Sequence, residues 1–103
     1  MENTITTKEP IIDYVKLRKA ASVLHAVNHK LRQRVIDMLQ EYEHMTVTDI
    51  YIKLRLDQSV ASFHLGLLKR AGVVSTERQG KFIYYSLVRD RLREINKAVK
   101  ILK

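Results

Sequence analysis

The feature that most constrains this chain is an abrupt change of pattern at Gly72. Before it, Ala61, Leu65, Leu68 and Ala71 recur at spacings of three and four, the period of one helix face. Gly72 then suits the left-handed conformation in which many helices end. After it, Phe82, Ile83, Tyr84, Tyr85 and Leu87 are mostly the aromatic and branched residues typical of strands. The pattern predicts a helix from Gln58 to Ala71, opened by Asp57, and then a hairpin. Its strands are Val73 to Arg78 and Lys81 to Leu87, with Gln79-Gly80 at the bend. Gly80 supplies the positive φ that such a turn needs.

The rest of the chain reads as helical. Residues 1–9 are a loose polar arm, and Pro10 can occupy a first helical turn without losing a hydrogen bond. Tyr14, Leu17, Ala21 and Leu24 carry a helical period to about Val27, and Asn28 is a cap before the next helix. That second helix is marked by Leu31, Val35, Met38 and Leu39 and ends near Glu41. Glu43 to Met45 read as a connection. Thr48 is expected to cap a short third helix, with Asp49 in the first turn where a negative charge is favoured. Ile50, Leu54 and Leu56 form its apolar side. Arg55 to Asp57 separate it from the fourth helix, the spacing of a helix-turn-helix. Val88 to Lys103 are helical again.

The expected fold is therefore mainly α with a small β-hairpin, a winged helix-turn-helix. One domain is expected over residues 10–103. Its helix-turn-helix lies at about 48–71, its wing at about 73–87 and a dimerisation helix at about 88–102. The N- and C-terminal helices are expected to form the dimer interface.

Composition narrows the function. Hydrophobic residues make up 46% of the 103, too many for a disordered tail. No apolar run is long enough for a membrane span, and the first residues lack a secretory signal. There is no cysteine, which excludes disulfides, thiolate metal sites and cysteine redox switches. A cytoplasmic protein is expected. Lys and Arg number 19 against 11 Asp and Glu, a formal charge of +8. Such a charge attracts polyanions, but nucleic acid, acidic membrane and plain solubility all fit it, so placement must decide.

Placement favours double-stranded DNA. In a winged helix the second helix of the helix-turn-helix enters the major groove, where base edges are distinguishable. Gln58, Ser59, Ser62 and Phe63 fall on the outer side of that helix near its start. Gln can pair with adenine, Ser can donate to a base or a phosphate, and Phe63 can meet a thymine methyl. Each alone is ordinary helix surface; together with the wing they point to base contact. Gly66 removes bulk midway along the same helix. His64 lies at the border of the two faces, where a semi-buried histidine and a DNA contact are equal readings. At the hairpin tip Arg78, Gln79 and Lys81 suit phosphate or minor-groove contact. Lys30, Arg32, Arg34, Lys69 and Arg70 are further candidates for phosphate, each equally at home on a solvated helix face.

The last helix supplies a partner. Val88, Leu92, Ile95, Val99 and Leu102 form a heptad seam. Together with Tyr14, Leu17 and Leu24 of the first helix they are expected to pair two copies, because the winged core looks complete without either helix. A homodimer would present two recognition helices about a two-fold axis, matching an inverted-repeat site.

These residues resemble a known family. QSVASFHLGLLKRAGVV (58–74) resembles the recognition-helix signature of the ArsR/SmtB regulators, RQGKFIYYSL (78–87) their wing, and residues 24–39 their second-helix region. The resemblance covers about residues 12–102. It implies a cytoplasmic dimer that binds operator DNA and represses transcription, usually releasing it when an effector binds. It also implies DNA contact at Gln58, Ser59, Ser62 and His64. At the family's inducer site this sequence departs from the family's pattern. Thr46 and Thr48 stand where that site has cysteines, and threonine hydroxyls are poor ligands for soft metals. The last helix has Asp90 and Glu94 but no histidine for the family's second metal site. His25 and His29, with His44 as a third ligand, are a weaker metal candidate, because a break near Asn28 would separate the pair. No metal cofactor is expected, and the effector is left unassigned.

An enzyme is not expected. The chain has no cysteine nucleophile, no serine in a nucleophile elbow and no Gly-rich phosphate loop. The alternative to a regulator is a winged-helix module that binds protein or RNA without operator specificity.

Overall fold

The structure, a computed structural model, describes the backbone of residues 12–102 and the side chains of residues 12–97. The arm over 1–9, the helix start at Pro10 and the side chains of Val99 and Leu102 lie outside the described residues. The elements run α1 (Tyr14–Val27), α2 (Lys30–Tyr42), β1 (His44–Thr46), α3 (Val47–Leu54), α4 (Gln58–Arg70), β2 (Val74–Gln79), β3 (Phe82–Leu87) and α5 (Arg89–Leu102).

Local chemistry sets most of these boundaries. Asp13 caps α1, its Oδ1 accepting the N–H groups of Val15 and Lys16 at 3.1 Å each. Asn28 ends α1, as expected, but His29 caps α2: its Nδ1 accepts the Leu31 N–H at 3.1 Å. The cap of α3 is Thr46, not Thr48. Thr46 Oγ1 accepts from the Asp49 N–H at 3.1 Å, and Asp49 Oδ2 accepts from the Thr46 N–H at 3.4 Å. This reciprocal box needs the acidic residue three positions after the cap, a spacing that Thr48 does not have. The turn into α4 places Arg55 in the left-handed region (φ 57°), and the Leu56 N–H reaches back to the Tyr51 carbonyl at 3.0 Å. Gly72 ends α4 with φ 76°, as its position in the sequence predicts.

The sheet is antiparallel, in the order β1-β3-β2. In the wing Gln79 pairs with Phe82, so Gly80-Lys81 form the turn, one residue later than expected. Gly80 has φ 64°. The segment read as a connection, Glu43 to Met45, instead leads into β1, where Met45 pairs with Tyr85. Three residues are too few for an alternating pattern to show, and β1 forms because β3 offers it an open edge.

The core joins Val23 of α1, Val35 and Leu39 of α2, Met45, Ile50 and Leu54, Leu65 and Leu68 of α4, Val73 and Val74. Leu92 and Ile95 of α5 pack against it. The winged core is thus not complete without the first and last helices, a correction to the sequence reading. One stripe of α1 and one of α5 face inward because each helix must bury an apolar side on its own domain before a partner is met. Among the described residues no helix is long and apolar enough to cross a membrane.

Candidate nucleic-acid interface

The 13 residues of α4 separate cleanly into two sides. Ala61, His64, Leu65 and Leu68 are buried; Gln58, Ser59, Ser62 and Phe63 are exposed. The buried side fixes the helix to the core, so the exposed side is presented on a rigid support. Phe63 is 60% exposed, a large apolar surface for a helix that carries hydroxyl and amide groups beside it. Asp57 precedes α4 but makes no side-chain cap bond. At Gly66 an added Cβ would meet, among the described residues, the Arg70 guanidinium at 3.5 Å, an ordinary contact. Packing among the described residues therefore does not demand a glycine there.

The wing tip lies in solvent. Arg78, Gln79, Lys81 and Phe82 are all exposed. Arg78 Nε donates to the Gly80 carbonyl at 3.1 Å, bracing the turn while leaving its other N–H groups available. Lys81 Nζ lies 5.9 Å from the centre of the Phe82 ring. Lys30, Arg34, Lys69 and Arg70 are exposed as well.

Two expected contacts are corrected. Arg32 is 5% exposed and cannot serve as a surface phosphate ligand. Its Nε donates to the Ala26 carbonyl, and its Nη1 lies 3.1 Å from His64 Nδ1. His64 is 7% exposed and turned to the inner side of α4. Its ring sits 4.8 Å from the His29 ring and 5.4 Å, edge to face, from Phe63. Burial, then the neighbouring His29 and then Arg32 push the His64 pKa below its ordinary value. Of its two sequence readings, the buried one matches this placement. A pattern of helix faces puts residue 64 at a border; only the partner on α2 pulls it inward.

Among the described residues, no group of three or more His, Cys, Asp and Glu is assembled for a metal. His29 caps α2, His44 packs edge-on against Tyr84 at 5.3 Å, and the Thr46 hydroxyl caps α3. Asp90 pairs with Arg93, and Glu94 with Arg91.

A helix-turn-helix with a polar outer face, flanked by a cationic hairpin, defines a winged helix-turn-helix DNA-binding protein. A family profile described as a helix-turn-helix domain matches residues 28–77. An uncharacterized HTH-type transcriptional regulator of Methanocaldococcus jannaschii is 36% identical over 84 residues, covering 82% of this chain and 94% of that protein. The crystal structure of the transcriptional repressor PagR of Bacillus anthracis superposes with a TM-score of 0.70 at 30% identity, covering 88% of this chain and all of that one. HlyU from Vibrio cholerae gives 0.69 at 26% identity, covering 84% and 94%. The chain belongs to the ArsR/SmtB-like winged helix-turn-helix transcriptional regulators. It is a DNA-binding regulator, of a class without catalytic activity.

Proposed function

We propose that the protein is a cytoplasmic homodimeric repressor that reads an inverted-repeat operator, one α4 in each half-site. The observation that carries this reading is the two-sided α4. Gln58, Ser59, Ser62 and Phe63 stand exposed together on a helix whose other side is locked into the core. Gln58, Ser59 and Ser62 supply hydrogen bonds to base edges and phosphates, and Phe63 supplies an apolar contact for thymine methyls. Arg78, Gln79 and Lys81 of the wing, with Lys30, Lys69 and Arg70, contact phosphates and fix the register.

Dimerisation uses α1 and α5. Tyr14 and Leu17 are 65% and 56% exposed; Leu24 on the same helix, and Val88, Leu92 and Ile95 at α5, are half-buried. An open cleft between the two helices is lined by Ala20, Leu24 and Ile95, a seat for the second copy. The seam of α5 continues in sequence through Val99 and Leu102. Relatives bear both signs of regulation by name, the repressor PagR and the activator HlyU of Vibrio cholerae. Repression is favoured because an operator-bound dimer blocks a promoter without further parts. The α3 position where the family has an inducer site offers Thr46 and Thr48, so a soft metal is not the effector.

Selection of duplexes from a random pool by the purified protein tests the reading. An enriched inverted repeat is expected, with affinity falling by about 0.9 log units per log unit of salt for each phosphate neutralised. Enrichment of no duplex, or equal binding to RNA, would favour a protein- or RNA-interaction module. Leu17→Glu, at a position exposed in the single chain, is expected to yield folded monomers by light scattering; a persisting dimer would remove α1 from the interface.

A further inference from the structure

Among the described residues Arg32 and His64 are the buried polar side chains, and they are bonded to each other. Arg32 sits on α2, between two elements with separate tasks. One N–H group reaches the Ala26 carbonyl in the last turn of α1, and another faces His64 on the inner side of α4. The guanidinium is planar and rigid, so two bonds from one group fix the two helices relative to each other. Arginine has only donors, so His64 Nδ1 must be the acceptor, with the ring proton on Nε2. A buried cation is costly unless hydrogen-bonded, and here its partners are a carbonyl and an imidazole rather than a carboxylate.

We propose that Arg32 and neutral His64 form a positioning clamp that couples the dimerisation helix α1 to the recognition helix α4, and that acid opens it. The coupling bears on operator binding only if α4 reads DNA, as proposed above. Protonation turns His64 Nδ1 from acceptor into donor and sets an imidazolium against a guanidinium. Among the described residues the groups facing His64 offer no compensation. Arg32 comes from α2, His29 caps α2 at 4.8 Å between rings, Phe63 comes from α4 itself, and α1 contributes the Ala26 carbonyl bound to Arg32. Burial and the two like charges lower the His64 pKa from 6.5. The unfolded chain therefore binds more protons than the folded one below about that value. The stability given by neutral His64 is complete above it and is lost as pH falls towards the lower folded-state value.

The test uses a duplex taken from the selection above, at about pH 7.5 and about pH 5.5 and constant ionic strength. The wild type is expected to lose about tenfold in affinity on acidification, the size of a lost hydrogen bond to a charged group. His64→Gln keeps an acceptor for Arg32 but does not titrate, so its affinity should change by less than about twofold. Equal losses in both proteins, or no loss in the wild type, would overturn the clamp. Arg32→Lys keeps the charge without the fork; it should bind weakly at both pH values, and wild-type affinity at the higher one would also overturn the clamp. Amide hydrogen exchange of the free protein, corrected for intrinsic pH dependence, gives a readout without DNA. On acidification α4 should lose protection relative to α3 in the wild type but not in His64→Gln, and parallel behaviour of the two proteins would refute the inference. A protein that binds no duplex at either pH would defeat the operator reading, while the exchange experiment would still decide the clamp.

Discussion

Phe63 and His64 are adjacent aromatic residues on one helix, yet the first is 60% exposed and the second 7%. The 100° step between neighbours on a helix accounts for part of the difference. The remainder comes from what each side meets. The inner side of α4 packs Leu65 and Leu68 into the core, buries Ala61 and gives His64 a bond to Arg32. Among the described residues the outer side finds no counterpart, so its polar groups remain available. Rigidity on one side makes recognition on the other possible, because contacts to base edges need side chains held at fixed positions.

Substitutions on the two sides should therefore separate stability from binding. The largest effect is expected inside. Leu65 is fully buried, and Leu65→Ala should cost about 2–5 kcal/mol of stability, read by thermal or denaturant unfolding. A melting temperature equal to that of the wild type would mean that the inner side is not packed as described. Outside, Gln58→Ala or Ser62→Ala should weaken the selected duplex by about 1–3 kcal/mol with little change in melting temperature. Loss of stability without loss of binding would exchange the roles of the two sides. At the entry to the helix-turn-helix, Thr46→Ala should cost about 1 kcal/mol of stability through the broken capping box, and Thr48→Ala close to none. Equal effects would restore Thr48 as the cap. The smallest change is expected at the wing. Lys81→Ala should weaken all duplexes alike and reduce the salt slope by about one phosphate's worth. A sequence-dependent effect would instead place Lys81 among the base-reading groups.

Much of the fold was legible because strong local signals agree. The period of Ala61, Leu65 and Leu68, the stop at Gly72 and the turn at Gly80 locate α4 and the wing within one residue or so. The outer residues of α4 follow from the same period. The failures have two causes: β1 and Arg32 depend on partners remote in sequence, and the caps of α2 and α3 on local bonds that residue type alone did not single out. β1 is a strand only because β3 lies beside it. Residue His29 caps α2 through a side chain that carries no helix-start signature as common as Ser, Thr, Asp or Asn. Arg32 looks like one more cation on a basic helix, and a charge count does not show that it is buried. Thr46 was within reach, since Thr-x-x-Asp is a capping-box spacing that the sequence displays.

By itself the sequence determined the order of the helices and the hairpin, the two-sided recognition helix, the cationic hairpin tip and the absence of cysteine chemistry. These depend on residue type and spacing over a few turns, where backbone geometry alone converts pattern into position. Only the tertiary structure decided which polar groups face inward. The contact between Arg32 and His64 spans 32 positions of chain, and whether a charge is solvated or enclosed depends on the elements that close around it.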